Sequence, residues 1–294
     1  MNRYRVRLHS GSMTSLTAEE TARKTAVVLP AAGVVTVIPR ENLRIHTCEA
    51  PEMAVYVNSH ILETENSLIV VDTQFLRPHA EEFRRYAESL AKPIVRVIIT
   101  HSHPDHWFGC EYFRDVPIHA LAEVADGIVG GGEAMIQGYA PIFSDAITET
   151  VTAPEHIIRP GTETIDGVAL AYEKVEGAEA GVNLVIELPE SRVLLAQDMV
   201  YNRVHVFLQQ KEMGPWLAHL RRYLEKEHDF VLGGHGLPSN MQALADMAGY
   251  LEDAKSALME SNDVESLKKH LVGKYPFYRG EMLLDISGRY LYGG

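Results

Sequence analysis

Cysteine is nearly missing from this chain of 294 residues: there are two, Cys48 and Cys110. At most one disulfide can form, which excludes a disulfide scaffold. Cys110 follows a histidine-rich segment, but a small buried residue is a better reading of it than a metal thiolate. Basic charge is also short. Lys and Arg number 27 against 40 Asp and Glu, a formal net charge of −13. A surface that acidic argues against a nucleic-acid backbone or an anionic membrane as partner. No apolar run reaches the roughly 18 residues that span a bilayer, and no internal repeat is visible. The segment TAVVLPAAGVVTVIP, residues 25–39, is broken by Pro30 and reads as loop and strand rather than an export signal. The expected compartment is cytoplasmic.

What is present is a core-forming sequence, 46% hydrophobic and 23% charged, ample for one large domain or two fused halves. Residues 1–33 read as a peripheral segment, with a capping box from Thr17 to Glu20 in LTAEE. From Val34 short β-rich runs follow one another: VVTVIP, LRIHTC, AVYVNSHILET and SLIVVD. PHAEEFRRYAESLA, residues 78–91, has helical periodicity, and IVRVIIT is a continuous buried strand. LAEVADGI reads as a helix; from Gly130 to about Thr150 the chain reads as a loop covering a site. The second half repeats the β texture, with a helix in EMGPWLAHLRRYLEKEH. From Met241 to the end the pattern is mainly helical. Strands then helix, twice over, predict an α/β fold with two sheets packed face to face and helices outside. The expected division is 1–33, a central domain over 34–240, and a helical extension over 241–294.

The chemistry concentrates in VIITHSHPDHWFG, residues 97–109. His101, His103, Asp105 and His106 fall within six positions at the end of a buried strand. Side chains two apart in an extended segment share a side, so His101, His103 and Asp105 should converge while His106 points elsewhere. Two imidazoles on one side suit a borderline divalent metal, and a carboxylate with a further imidazole suits a second one.

THSHPDH resembles the His-x-His-x-Asp-His motif of the metallo-β-lactamase superfamily, whose members are αβ/βα four-layer sandwiches. The resemblance covers roughly residues 34–240. SLIVVDTQF is similar to the family's strand ending in Asp, here Asp72, with Gln74 in place of the usual Gly. SRVLLAQDMVY resembles the strand ending in the metal-bridging Asp, here Asp198, and VLGGHGLP the loop carrying the last His, here His235. The resemblance implies two divalent metal ions, zinc first, with iron or manganese as alternatives. It departs at one turn: EGAEAGVN holds no His, and the usual spacing back from Asp198 lands on Glu179. Alkylsulfatases of the superfamily are similar in using Glu at this turn. The implied ligands are therefore His101, His103, Asp105, His106, Glu179, Asp198 and His235.

This set implies a metal-dependent hydrolase in which a metal-bound hydroxide attacks a small ester, lactone or thioester. A sulfate-ester hydrolase is the alternative, raised by the Glu, and a degenerate ligand-binding member is a third reading. Asp105 is the expected proton acceptor or shuttle. Tyr201 and His205, which follow Asp198, are the expected rim residues that stabilise charge or hold substrate. His60 reads as structural. The expected partner is a small-molecule substrate, and the aromatic C-terminal helical region is a candidate substrate lid or homodimer interface.

Overall fold

A computed structural model describes Thr17, Glu20 and residues 25–293. Two sheets form its centre. The first runs in sequence order: β1 (Val27–Leu29), β2 (Gly33–Pro39), β3 (Arg44–Glu49), β4 (Asn58–Glu63), β5 (Leu68–Val71), β6 (Ile94–Ile99), β7 (Ile118–Ala120) and β8 (His156–Ile157). It is antiparallel as far as β5 and parallel from β5 to β8. The second sheet has the order β13-β12-β11-β10-β9, from β9 (Gly161–Ile165), β10 (Val168–Glu176), β11 (Val182–Leu188), β12 (Val193–Tyr201) and β13 (Phe230–His235). The stretch that mimics an export signal is the β1–β2 hairpin, so sheet structure begins inside the segment expected to be peripheral. The reciprocal pair at Thr17 and Glu20 is present, at 3.0 and 3.2 Å.

The period of two along the second sheet explains the layering. Leu184, Ile186, Val193, Leu195, Phe230 and Leu232 join one core, facing the first sheet. Val185, Leu194, Ala196 and Val231, which alternate with them along the strands, join another core on the opposite face. Both faces are therefore covered, and the strands read as nearly continuous apolar runs. The first core also takes Phe83 and Tyr86 of α1 (Arg77–Ser89). The second is closed by α4 (Gly214–Leu224), α5 (Gln242–Glu260), α6 (Val264–Lys274) and α7 (Met282–Tyr292).

Two local readings change. Pro104 starts a short helix, α2 (Pro104–Trp107), so the ligand segment is not extended beyond His103. The stretch expected as a loop from Gly130 is mostly helix, α3 (Ala122–Phe143). Its buried stripe, Val124, Ile128 and Gly132, keeps helical spacing through the glycines. At Gly132 a Cβ would lie 2.8 Å from Val151 and 3.0 Å from Trp107, so glycine lets the helix approach that closely.

Candidate metal centre

The strand ends bring seven donors to one rim between the sheets. His101 follows β6, Asp198 lies in β12, His235 closes β13, and Glu179 sits in the β10–β11 turn. They form two groups with ligand atoms within 4.8 Å of one another: His101, His103, Glu179 and Asp198, then Asp105, His106 and His235. The helical turn of α2 is why Asp105 joins His106 rather than His101 and His103. Asp198 reaches both groups: one oxygen is 3.6 Å from His101 Nε2 and 3.2 Å from His235 Nε2, the other 3.2 Å from His106 Nε2.

Backbone irregularities aim these groups. The β12–β13 pairing slips at Gln197, which adopts φ 47°, so Asp198 turns off the regular strand direction. A Cβ on Gly234 would lie 1.6 Å from an Asp198 carboxylate oxygen, so only glycine leaves this carboxylate its place. Gln74, where the resemblance expects Gly, takes φ 75°, which explains that expectation. Its amide reaches the Cys48 carbonyl at 3.3 Å.

The imidazoles are held by their far nitrogens. His106 Nδ1 lies 2.8 Å from Asp72, His235 Nδ1 2.8 Å from the Val55 carbonyl, and His101 Nδ1 3.1 Å from the Thr100 hydroxyl. Each Nε2 is thereby left facing the cluster. His103 instead presents Nδ1, 3.0 Å from Glu179. Asp72 accepts from the Thr100 amide at 2.9 Å, the Thr100 hydroxyl at 2.8 Å and the Gln197 amide, so it is fixed in turn. Sequence reading had placed Asp72 at a strand end without these partners, which lie 28 to 125 residues away.

The donor set suits cations. His101 Nε2, His106 Nε2, both Glu179 carboxylate oxygens and Asp198 Oδ1 are buried without a hydrogen-bond partner. Groups buried in that state are costly unless a charge partner is supplied. Burial opposes charge on His106, yet Asp198, Asp105 and Asp72 outweigh it and push the imidazole well above its ordinary value. Burial likewise opposes the Asp198 carboxylate, while His106, His235 and His101 hold it well below the usual range. A buried cluster of three carboxylates and four imidazoles, with no thiol, fits zinc, iron or manganese.

Other sequence candidates fall into place around it. Tyr201 stacks on His235, ring centroids 4.4 Å apart, and donates to Asp198 at 2.9 Å. Burial, then Asp198, push its phenol well above the ordinary value, so it stays a donor. His205 is not on the rim as expected. Its ring is buried in the second core, Nδ1 is 3.0 Å from the Tyr250 hydroxyl, and its amide donates to the Arg279 carbonyl at 2.8 Å. The chain turns toward the C-terminal helices as soon as β12 ends. His60 bridges the Thr47 hydroxyl and Gln197, each at 3.0 Å. Cys110 stays outside the cluster, its thiol pushed up to about 12 by burial. Glu176, a neighbour of Glu179 in sequence, is exposed and pairs with Lys174 at 2.8 Å.

A cavity of about 740 Å³ opens onto the cluster. Glu179, Asp198, His103 and His235 mark its inner end; Phe75, Tyr139, Phe143 and Phe207 line its wall. Met282, Ile286, Arg289 and Tyr290 of α7 complete it. Sequence had suggested a lid in the aromatic C-terminal stretch, but not which residues face the site.

A family model described as the metallo-beta-lactamase superfamily matches residues 53–235. An alkyl/aryl-sulfatase of Saccharomyces cerevisiae is 26% identical over 228 residues, covering 63% of this chain and 35% of that protein. A linear primary-alkylsulfatase of a Pseudomonas species is 26% identical over 278 residues, covering 74% and 52%. The chain thus spans between a third and about half the length of these relatives. Among solved structures, a metallo-beta-lactamase from Pontibacter korlensis has a TM-score of 0.57 at 20% identity, over 74% of this chain and 99% of that one. One from Pseudomonas aeruginosa, in a mono-zinc form, has a TM-score of 0.54 at 18% identity, over 75% and 96%.

Proposed function

This chain belongs to the metallo-β-lactamase superfamily, and we propose that it is a metal-dependent hydrolase that cleaves the sulfate ester of an apolar alcohol. The observation that carries this reading is Glu179, buried among the donors in the place of an imidazole, at the inner end of an apolar cavity. The alkylsulfatases among its relatives support the same substrate class.

In this reading His101, His103, Glu179 and Asp198 would hold one divalent ion, and Asp105, His106 and His235 would hold a second. When bound, such ions supply Lewis-acid polarisation of the ester and lower the pKa of water. The chain's own groups do the rest. Asp72, Thr100 and the Val55 carbonyl fix the three imidazoles so that no reorganisation is needed during reaction. Tyr201, whose single O–H donates to Asp198, holds that carboxylate in place and reaches a developing ester oxygen only by turning that O–H away from it. Asp105, partly open to the cavity, takes up the proton released from water. The apolar wall orients the alcohol portion and keeps bulk water away.

A second reading is a neutral carboxylic ester, lactone or thioester. It is favoured by the cavity wall, where Arg289 is the one Lys or Arg among the lining residues. The test is hydrolysis of decyl sulfate beside decyl acetate, decanoyl thioester and a decanolactone, with metal content measured on the same sample. About two metals per chain and at least tenfold higher kcat/KM for the sulfate ester are expected. Preference for a carboxylic ester, lactone or thioester would overturn the sulfate reading, and silence on all four would overturn the hydrolytic one.

A further inference from the structure

We infer that α3 gauges the apolar portion of the substrate, and that Gly131 and Gly138 set how long a chain the cavity accepts. This rests on reading the cavity as the substrate site. The wall contributed by α3 includes Gly131, Ala134, Met135, Gly138, Tyr139 and Ile142, and ends at Phe143. These positions recur every three or four residues, so they form one helix face. At 1.5 Å per residue that face runs about 16 Å from Gly131 to Ile142. The same cavity is lined by the Glu179 carboxylate, 1% exposed, with both oxygens lacking a hydrogen-bond partner. A polar, cation-seeking end and a long apolar flank suit an amphiphile with a linear chain.

The glycines on this face have no packing reason to be glycine. A Cβ on Gly138 would meet nothing within 4 Å, and one on Gly131 only the tip of Met135 at 3.5 Å. Gly127 and Gly132 differ: there a Cβ would press on Ser102, or on Val151 and Trp107. Each interior glycine weakens a helix relative to Ala. At Gly131 and Gly138 that cost leaves cavity space which any side chain would take. Gly130 is equally unhindered but is not part of the cavity wall, which makes it a matched control.

The test is calorimetric binding of n-alkane-1-sulfonates from six to fourteen carbons, below their micelle concentrations. Their C–S bond is not an ester, so they bind without turnover. Wild type should gain about fourfold in affinity per added CH₂ until the cavity is full, then level off. Gly138→Leu and Gly131→Leu should level off at shorter chains. They should bind the longest wild-type ligand at least tenfold more weakly and the six-carbon ligand equally well. Gly130→Leu should overlay wild type. Leu is the better helix former, so the substitutions do not threaten α3, and circular dichroism checks that. Curves at 131 and 138 that match Gly130→Leu, a loss uniform across lengths, or a wild type without chain-length dependence would each overturn the inference. Should wild type bind the series and shift as described yet hydrolyse no sulfate ester, the proposed reaction fails and the gauge stands.

Discussion

At the scale of single residues, the proposed chemistry turns on Glu179. Its carboxylate lies 3.0 Å from His103 and 3.8 Å from His101, inside a group that also holds Asp198. Replacing it by Gln keeps the volume and removes the charge. Losing a residue that only orients a ligand already costs 10- to 100-fold in metal affinity or activity. Losing a ligand itself should cost more, so Glu179→Gln should lose about one metal equivalent and at least about a hundredfold in activity. Glu179→His should recover metal, because imidazole is a donor of the same reach. Elemental analysis of the three proteins decides it; full stoichiometry in Glu179→Gln would sink the assignment. The candidate ligands His101, His103, Asp105 and His106 were legible because a metal motif is local, and Asp198 and His235 because strand ends carry them. The grip of Asp72 on His106 was not legible, since 34 residues separate the pair and only the fold closes that distance.

At the scale of elements, α3 and α7 show what the sequence hides. Clustered glycines weaken helix propensity, so the reading from Gly130 onward was a loop, yet tertiary contacts along Val124, Ile128 and Gly132 carry the helix through. The fold itself was visible because period-two burial and strand-then-helix order are properties of the chain alone. The cavity was not, because its walls come from helices about 150 residues apart. α7 is placed by Ser287, whose hydroxyl donates to the Leu283 carbonyl and accepts from the Leu208 amide, at 2.7 and 2.8 Å. It is also placed by Gly288, where a Cβ would lie 2.5 Å from Val264 Cγ2 and 2.6 Å from its Cβ. Rotating Val264 cannot relieve the second contact, so Gly288→Ala must push α7 away from α6. Overpacking of this kind costs about 1–3 kcal/mol. Because Met282, Ile286 and Tyr290 ride on α7, KM for long-chain substrates should rise several-fold while bound metal is unchanged. Thermal unfolding and KM measured on one preparation test both; an unchanged melting temperature would mean that α7 is not held by this contact.

At the scale of the whole molecule, the second sheet separates two apolar cores, and the position of His205 reports which one claims the chain after β12. Sequence proximity to Asp198 had put it on the cleft. The structure buries it in the second core, against Tyr250 and Tyr278, with ring centroids 6.0 and 5.8 Å away. Burial lowers its imidazole to about 4; Glu281 opposes this weakly and Lys268 adds to it. In the unfolded chain the ordinary value is about 6.5. Between these values the unfolded chain holds a proton that the native chain does not. Stability from this residue is therefore complete above pH 6.5, falls as pH drops toward 4, and changes no further below that. From pH 7 to pH 5 the loss amounts to about 1–2 kcal/mol. His205→Gln removes the titration and keeps a polar partner for Tyr250. Urea unfolding of both proteins at pH 7 and pH 5 should show wild type losing that much more than the variant, whatever the metal ligands contribute to each. Equal losses would mean that His205 meets water in the native protein, as a residue on the cleft rim would. The C-terminal helices would then not close over the second sheet in the way that also shapes the cavity.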